Sequence, residues 1–138
     1  MGGQPELPNF ILGLDCTAID VVEVGGIPPS NVIAVTSQIE FSAKFHGGGM
    51  VWMWLKGSSA PYEVQYAAES MGPGTNNVNL GAKTGNLTAS NSYGAPETTL
   101  SVAPGTLSPG VYRLSCVVKF PSNPGLIGFF EGQVIEVY

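Results

Sequence analysis

The strongest constraint on this chain is an alternation. Ile39, Phe41, Ala43 and Phe45 are apolar, and Gln38, Glu40, Ser42 and Lys44 interleave with them. A period of two places the first set on a buried face and the second in water, which is the signature of a half-buried strand. Residues 62–69 repeat the pattern, with Tyr62, Val64, Tyr66 and Ala68 set against Glu63, Gln65, Ala67 and Glu69. No stretch holds a 3.6-residue apolar period over three turns, so the alternation dictates an all-β chain.

Further segments fill in the strand count. Residues 11–24 are rich in β-branched residues, and residues 32–35, 98–102, 111–120 and 127–138 read as strands bounded by Gly and Pro clusters. Residues 71–96 are rich in Gly, Asn, Ser and Thr. A structureless loop of that length is uncommon in a compact domain, so short strands are expected at 78–80 and 87–89. The apolar run 50–55 is assigned to a strand, paired with 39–45 as a hairpin through His46-Gly47-Gly48-Gly49. With 138 residues there is room for one domain. The expectation is a single antiparallel β-sandwich of about seven to nine strands, preceded by an extended lead-in over residues 1–10.

Residues 107–118, LSPGVYRLSCVV, resemble the start of strand F in an immunoglobulin-like or fibronectin type III-like domain. In those folds a Leu precedes the turn, and a Tyr opening the strand bonds back to the turn's backbone. Leu107 and Tyr112 match these roles, and Cys116 resembles the F-strand cysteine. Tyr112 stands four residues before Cys116, where the antibody pattern has two. The resemblance covers about residues 38–138 and implies an immunoglobulin-like sandwich. It places Trp52 and Trp54 on strand C. It also calls for a strand-B cysteine in 39–45, where none stands; Phe41, 13 residues before Trp54, takes that core position. The resemblance speaks to fold, since such domains host many functions.

Charge excludes some classes of function. Only 11% of the residues are charged, with a net charge of −5, and Lys44, Lys56, Lys83, Arg113 and Lys119 are scattered. A nucleic-acid binder needs a basic patch to offset phosphate, so no nucleic-acid partner is expected. No window approaches the roughly 18 apolar residues of a membrane span. The start of the chain has no basic n-region or long apolar run, so it does not read as a secretory signal. That points to the cytoplasm, or to an extracellular or virion setting for a trimmed mature form. The sequon Asn86-Leu87-Thr88 matters only in a secretory pathway.

Chemistry-bearing patterns are sparse. His46-Gly47-Gly48-Gly49 resembles an oxyanion-hole motif, but the accompanying G-x-S-x-G elbow and α/β pattern are missing. The motif reads as a hairpin loop. His46 is the single histidine and has no Cys or His partner at zinc spacing. Asp15, Asp20 and Glu23 match no calcium-loop spacing and read as a solvated edge strand. No catalytic residue, metal ligand or cofactor is assigned, and a small hydrolase is the weaker alternative. Cys16 and Cys116, if joined, would close a loop of about 100 residues, worth roughly 4–5 kcal/mol. The sequence leans instead towards two buried thiols.

One feature asks for a partner. As a strand, residues 50–55 would show Met50, Trp52 and Trp54 on one face and Val51, Met53 and Leu55 on the other. Both faces are apolar, so something must cover the outer one. Val51, Met53 and Leu55 are the candidate interface. The leading functional expectation is a non-enzymatic interaction or structural module that binds a protein partner, a second copy in the first instance. Alternatives are a carbohydrate-binding module, with a glycan stacked on Trp52, Trp54, Tyr62 and Tyr66, and a virion or secreted structural protein.

Overall fold

The computed structural model describes residues 13–26, 31–72 and 77–138. The expected lead-in over 1–10 lies outside them. Nine strands appear among the described residues: β1 (Gly13–Glu23), β2 (Val32–Ile33), β3 (Ile39–Gly48), β4 (Pro61–Ser70), β5 (Asn77–Asn86), β6 (Ser92–Tyr93), β7 (Thr99–Val102), β8 (Gly110–Lys119) and β9 (Ile127–Val137). A short helix, α1 (Met50–Gly57), follows β3.

The strands form two sheets. In the first, β3 is paired with β1 on one side and with β6 and β7 on the other. The second runs β2-β9-β8-β4-β5. Pairing is antiparallel except between β2 and β9. This is a sandwich whose two inner faces share one core.

The period-two pattern carries that core. Ile39, Phe41, Ala43 and Phe45 point inward from β3, Tyr62, Val64, Tyr66 and Ala68 from β4, and Leu114, Cys116 and Val118 from β8, and all are buried. Two irregularities keep this phase where a simple alternation would lose it. The β1–β3 register shifts between Cys16 and Ala18, so Cys16 and Ile19 both face inward. In β9 an extra residue enters between Glu131 and Gln133. It is Gly132, whose φ of 140° suits glycine and few other residues. Each bulge turns the following side chains back to the core.

Of the expected strands, 11–24 is a strand over its described part 13–23 and 32–35 over 32–33; those at 39–45, 62–69, 98–102, 111–120 and 127–138 hold, and 78–80 falls within β5. Residues 87–89 are not a strand; the short strand in that region is β6. The assignment of 50–55 to a strand is corrected, because β3 runs into a helix and the hairpin over 39–55 does not form. Strand C of the sandwich is therefore β4, which carries no tryptophan. Its Tyr66 lies beneath Phe41, with ring centroids 6.3 Å apart. The Tyr112 hydroxyl donates to the Ser108 carbonyl at 2.7 Å, the corner bond that the resemblance to strand F implied.

Two polar ties close the sandwich. The buried Tyr66 hydroxyl on β4 accepts from the Ala43 N–H at 2.8 Å and donates to the Thr98 carbonyl, crossing from one sheet to the other. Thr98 in turn donates from Oγ1 to the Ala43 carbonyl at 2.7 Å. Burial pushes the Tyr66 hydroxyl well above its ordinary pKa, so it stays protonated and able to donate. Near the end of β1, a Glu23 carboxylate oxygen accepts from Ser37 Oγ at 2.6 Å and from the Ala34 N–H at 3.0 Å. These bonds hold the Glu23 carboxyl below its ordinary pKa, the Ser37 bond contributing most.

Tyr66→Phe strands the Ala43 N–H in the core and is expected to cost about 1–3 kcal/mol in a denaturant titration. For Glu23, a carboxyl depressed in the folded state adds stability above the unfolded-state pKa of about 4.3 and loses it as pH falls through the folded value. Glu23→Gln should therefore flatten the acid limb of a melting-temperature profile below about pH 4.5 and leave its slope near neutrality unchanged.

Candidate functional site

The candidate site lies at the end of the sandwich where β3 stops. β3 stays paired with β1 through Gly48, and the Gly49 φ of 94° then turns the chain off the sheet into α1. Met, Leu and Lys favour helix, and nothing in 50–57 breaks it before Gly57. An apolar residue at every position erases periodicity, so the run 50–55 was equally open to a helix. The helix resolves it into two faces.

The inward face is Val51, Trp52 and Leu55. Trp52 is 1% exposed and packs edge-on to Tyr93 and Phe120, with centroid separations of 6.3 and 5.9 Å. Phe45 stacks on Tyr93 at 5.0 Å and meets Tyr62 edge-on at 5.4 Å, extending the cluster. The Trp52 indole N–H donates to Asn91 Oδ1 at 3.2 Å, which the Lys56 ammonium also reaches. A Cβ placed on Gly47 would lie 2.3 Å from the Trp52 ring. Within the His46-Gly47-Gly48-Gly49 stretch, Gly47 is therefore the seat of the Trp52 indole, where a side chain would collide.

The outward face is Met50, Met53 and Trp54, spaced i, i+3, i+4 on one side of the helix. They are 58%, 65% and 65% exposed.

The expected aromatic platform does not assemble. Trp52, Tyr62 and Tyr66 are buried in the core, because α1 turns Trp52 inward and β4 directs its even-numbered residues to the interior. Trp54 stands apart in solvent. The two-faced strand interface is likewise corrected: Leu55 is half-buried against the core, Val51 is half-buried, and Met53 is the one member of that trio in solvent.

The acidic residues of β1 separate. Asp15 lies 3.6 Å from His46 Nε2, Asp20 3.3 Å from Lys44 Nζ, and Glu23 is held by Ser37 and Ala34. No group of three or more His, Cys, Asp or Glu side chains is placed to hold a metal among the described residues. The register sets Asp15, His46 and Ser92 in a row across β1, β3 and β6, and His46 and Ser92 border an open depression of about 510 Å³. No hydrogen bond joins Ser92 Oγ to His46, and the Asp15 and His46 side chains are largely solvated. Cys16 and Cys116 meet inside the sandwich, Sγ to Sγ 3.2 Å. Among the described residues, no helix is long and apolar enough to cross a membrane.

A solved structure from Pyrococcus furiosus, the CARDB domain of a protein crystallised with di-metal ions, superimposes on 93% of this chain and 90% of its own, at a TM-score of 0.51 and 13% identity. The fold is an immunoglobulin-like β-sandwich. The fimbrial subunit AggA of Escherichia coli (16% identity, 91% and 94% coverage) and the sporulation control protein Spo0M of Bacillus subtilis (10%, 88% and 49%) align at a TM-score of 0.39, too loosely to carry an argument. No model of a known family and no curated protein matches the sequence. At 13% identity the likeness extends to the fold alone, and the metal ions belong to the archaeal domain.

Gly47→Ala is expected to drive the new methyl into the Trp52 ring and lower stability by about 1–3 kcal/mol. Gly48→Ala, where a Cβ meets nothing within 4 Å, should cost far less. Thermal melts of the two variants side by side check this.

Proposed function

We propose that this chain is a single-domain, non-enzymatic interaction module that self-associates through the outer face of α1. The observation that carries the reading is the exposure of Met53 and Trp54, on a helix whose other face is anchored by Trp52. Trp is among the residues most enriched at binding hot spots, and Met adapts to irregular partner surfaces. The anchored indole holds the outer face rigid, so little ordering cost falls on association. A neighbouring copy offers the same apolar face, and isologous contact of one patch with itself is the commonest route to a symmetric dimer. With 11% charged residues, little like-charge repulsion opposes it.

The glycan reading loses its support, because three of its four aromatic residues are buried and one exposed indole is a narrow platform. The Asp15 and His46 side chains are largely solvated, which supports a role other than catalysis.

Gel filtration with light scattering, on the order of tens of micromolar protein, should show a species of twice the chain mass. Trp54→Ala should weaken the association roughly 30-fold, the equivalent of a hot spot of about 2 kcal/mol. Met53→Asp with Trp54→Asp should give a monomer of unchanged melting temperature. A wild-type monomer at that concentration overturns self-association.

A further inference from the structure

Cys16 and Cys116 sit on strands of different sheets, 100 residues apart in sequence, with their sulfurs 3.2 Å apart. We propose that the two form an intramolecular disulfide that staples β1 to β8 across the interior of the sandwich. The backbone already does the work of approach. A disulfide bond is about 2.05 Å long, so the sulfurs have roughly 1.2 Å left to close, which small side-chain rotations supply.

The bulge after Cys16 is the second observation. Cys16 stands opposite Phe45 and Ala18 opposite Lys44, so Thr17 is the extra residue. Without it, a continuous alternation could not point both Cys16 and Ile19 at the core. Bulges re-aim side chains in this way, and here the side chain re-aimed is the one that meets Cys116. The site is also built to restrict the reaction to this pair. Cys116 is fully buried between its register neighbours Tyr66 and Phe130, whereas Cys16 is only partly covered. The Cys116 thiol hydrogen-bonds to Cys16 and lowers its pKa, and the same bond, with burial, raises that of Cys116. Cys16, the more accessible sulfur, is the one an external oxidant reaches.

The two-electron oxidant is a low-molecular-weight disulfide of the glutathione class. Cys16 loses its proton to solvent, and its thiolate attacks one sulfur of that disulfide. The S–S bond breaks, one glutathione thiolate departs and takes up a proton, and a mixed disulfide remains on Cys16. The Cys116 sulfur, giving up its proton, then attacks Cys16 Sγ and expels the second glutathione, which is protonated in turn. Two cysteine thiols become one disulfide, and one glutathione disulfide becomes two thiols. The product closes a loop of about 100 residues, the class of cross-link that most restricts the unfolded chain.

The test is to refold the fully reduced chain in a mixture of oxidised and reduced glutathione and to digest it with trypsin without reduction. The expected product is the peptide ending at Lys44 joined to residues 114–119, lost on treatment with dithiothreitol. The oxidised protein should melt about 10–20 °C above the same protein held in dithiothreitol, and Cys16→Ser and Cys116→Ser should abolish both the cross-linked peptide and the shift. Full alkylation of both cysteines after refolding in the glutathione mixture overturns the proposal. So does a cross-link that joins two chains, or a melting temperature indifferent to dithiothreitol.

Discussion

The Tyr66 hydroxyl reaches from the middle of one sheet to the backbone of the other, accepting from the Ala43 N–H and donating to the Thr98 carbonyl. Apolar packing alone sets the distance between two sheets but leaves their sliding only weakly opposed, because it is non-directional. A buried hydroxyl with two fixed backbone partners is directional, and leaving any of them unpaired in the core is costly. The tie fixes β4 against β3, and with it the register in which the inward residues of both strands meet.

The end of the sandwich depends on a steric exchange. Gly47 gives up a side chain so that Trp52 can lie against the strand, and Trp52 then caps the aromatic cluster of Phe45, Tyr62, Tyr93 and Phe120. A helix with one buried face must show its other face outward, and here that face is Met50, Met53 and Trp54. The core and the candidate contact surface are two sides of the same eight residues. A change that loosened Trp52 would disorder both.

Much of the fold was legible in residues 39–45, 62–69 and 107–118, because a side-chain period of two and a Tyr-containing strand-F turn are local signals. Helix α1 was not legible. Its run is apolar throughout, and a segment without polar residues carries no period to read; the length and position that suggested strand C came from the resemblance. The fate of Tyr62, Tyr66 and Trp52 follows from the same point. Their chemistry suits a sugar platform, but aromatic chemistry does not say which face is solvated.

The cysteines mark the division most clearly. The sequence shows two of them 100 residues apart and no cysteine in 39–45 where an antibody-like domain would carry one. Sequence separation says nothing of spatial distance, and the bulge at Thr17 that turns Cys16 inward depends on pairing with β3. By itself, then, the sequence determined an all-β sandwich with its buried rows, since alternation and turn chemistry act within a few residues. Tertiary structure alone decided that residues 50–57 form a helix with one solvent face, and that Cys16 and Cys116 touch. Both outcomes depend on which strands lie side by side, a choice made by packing across the core.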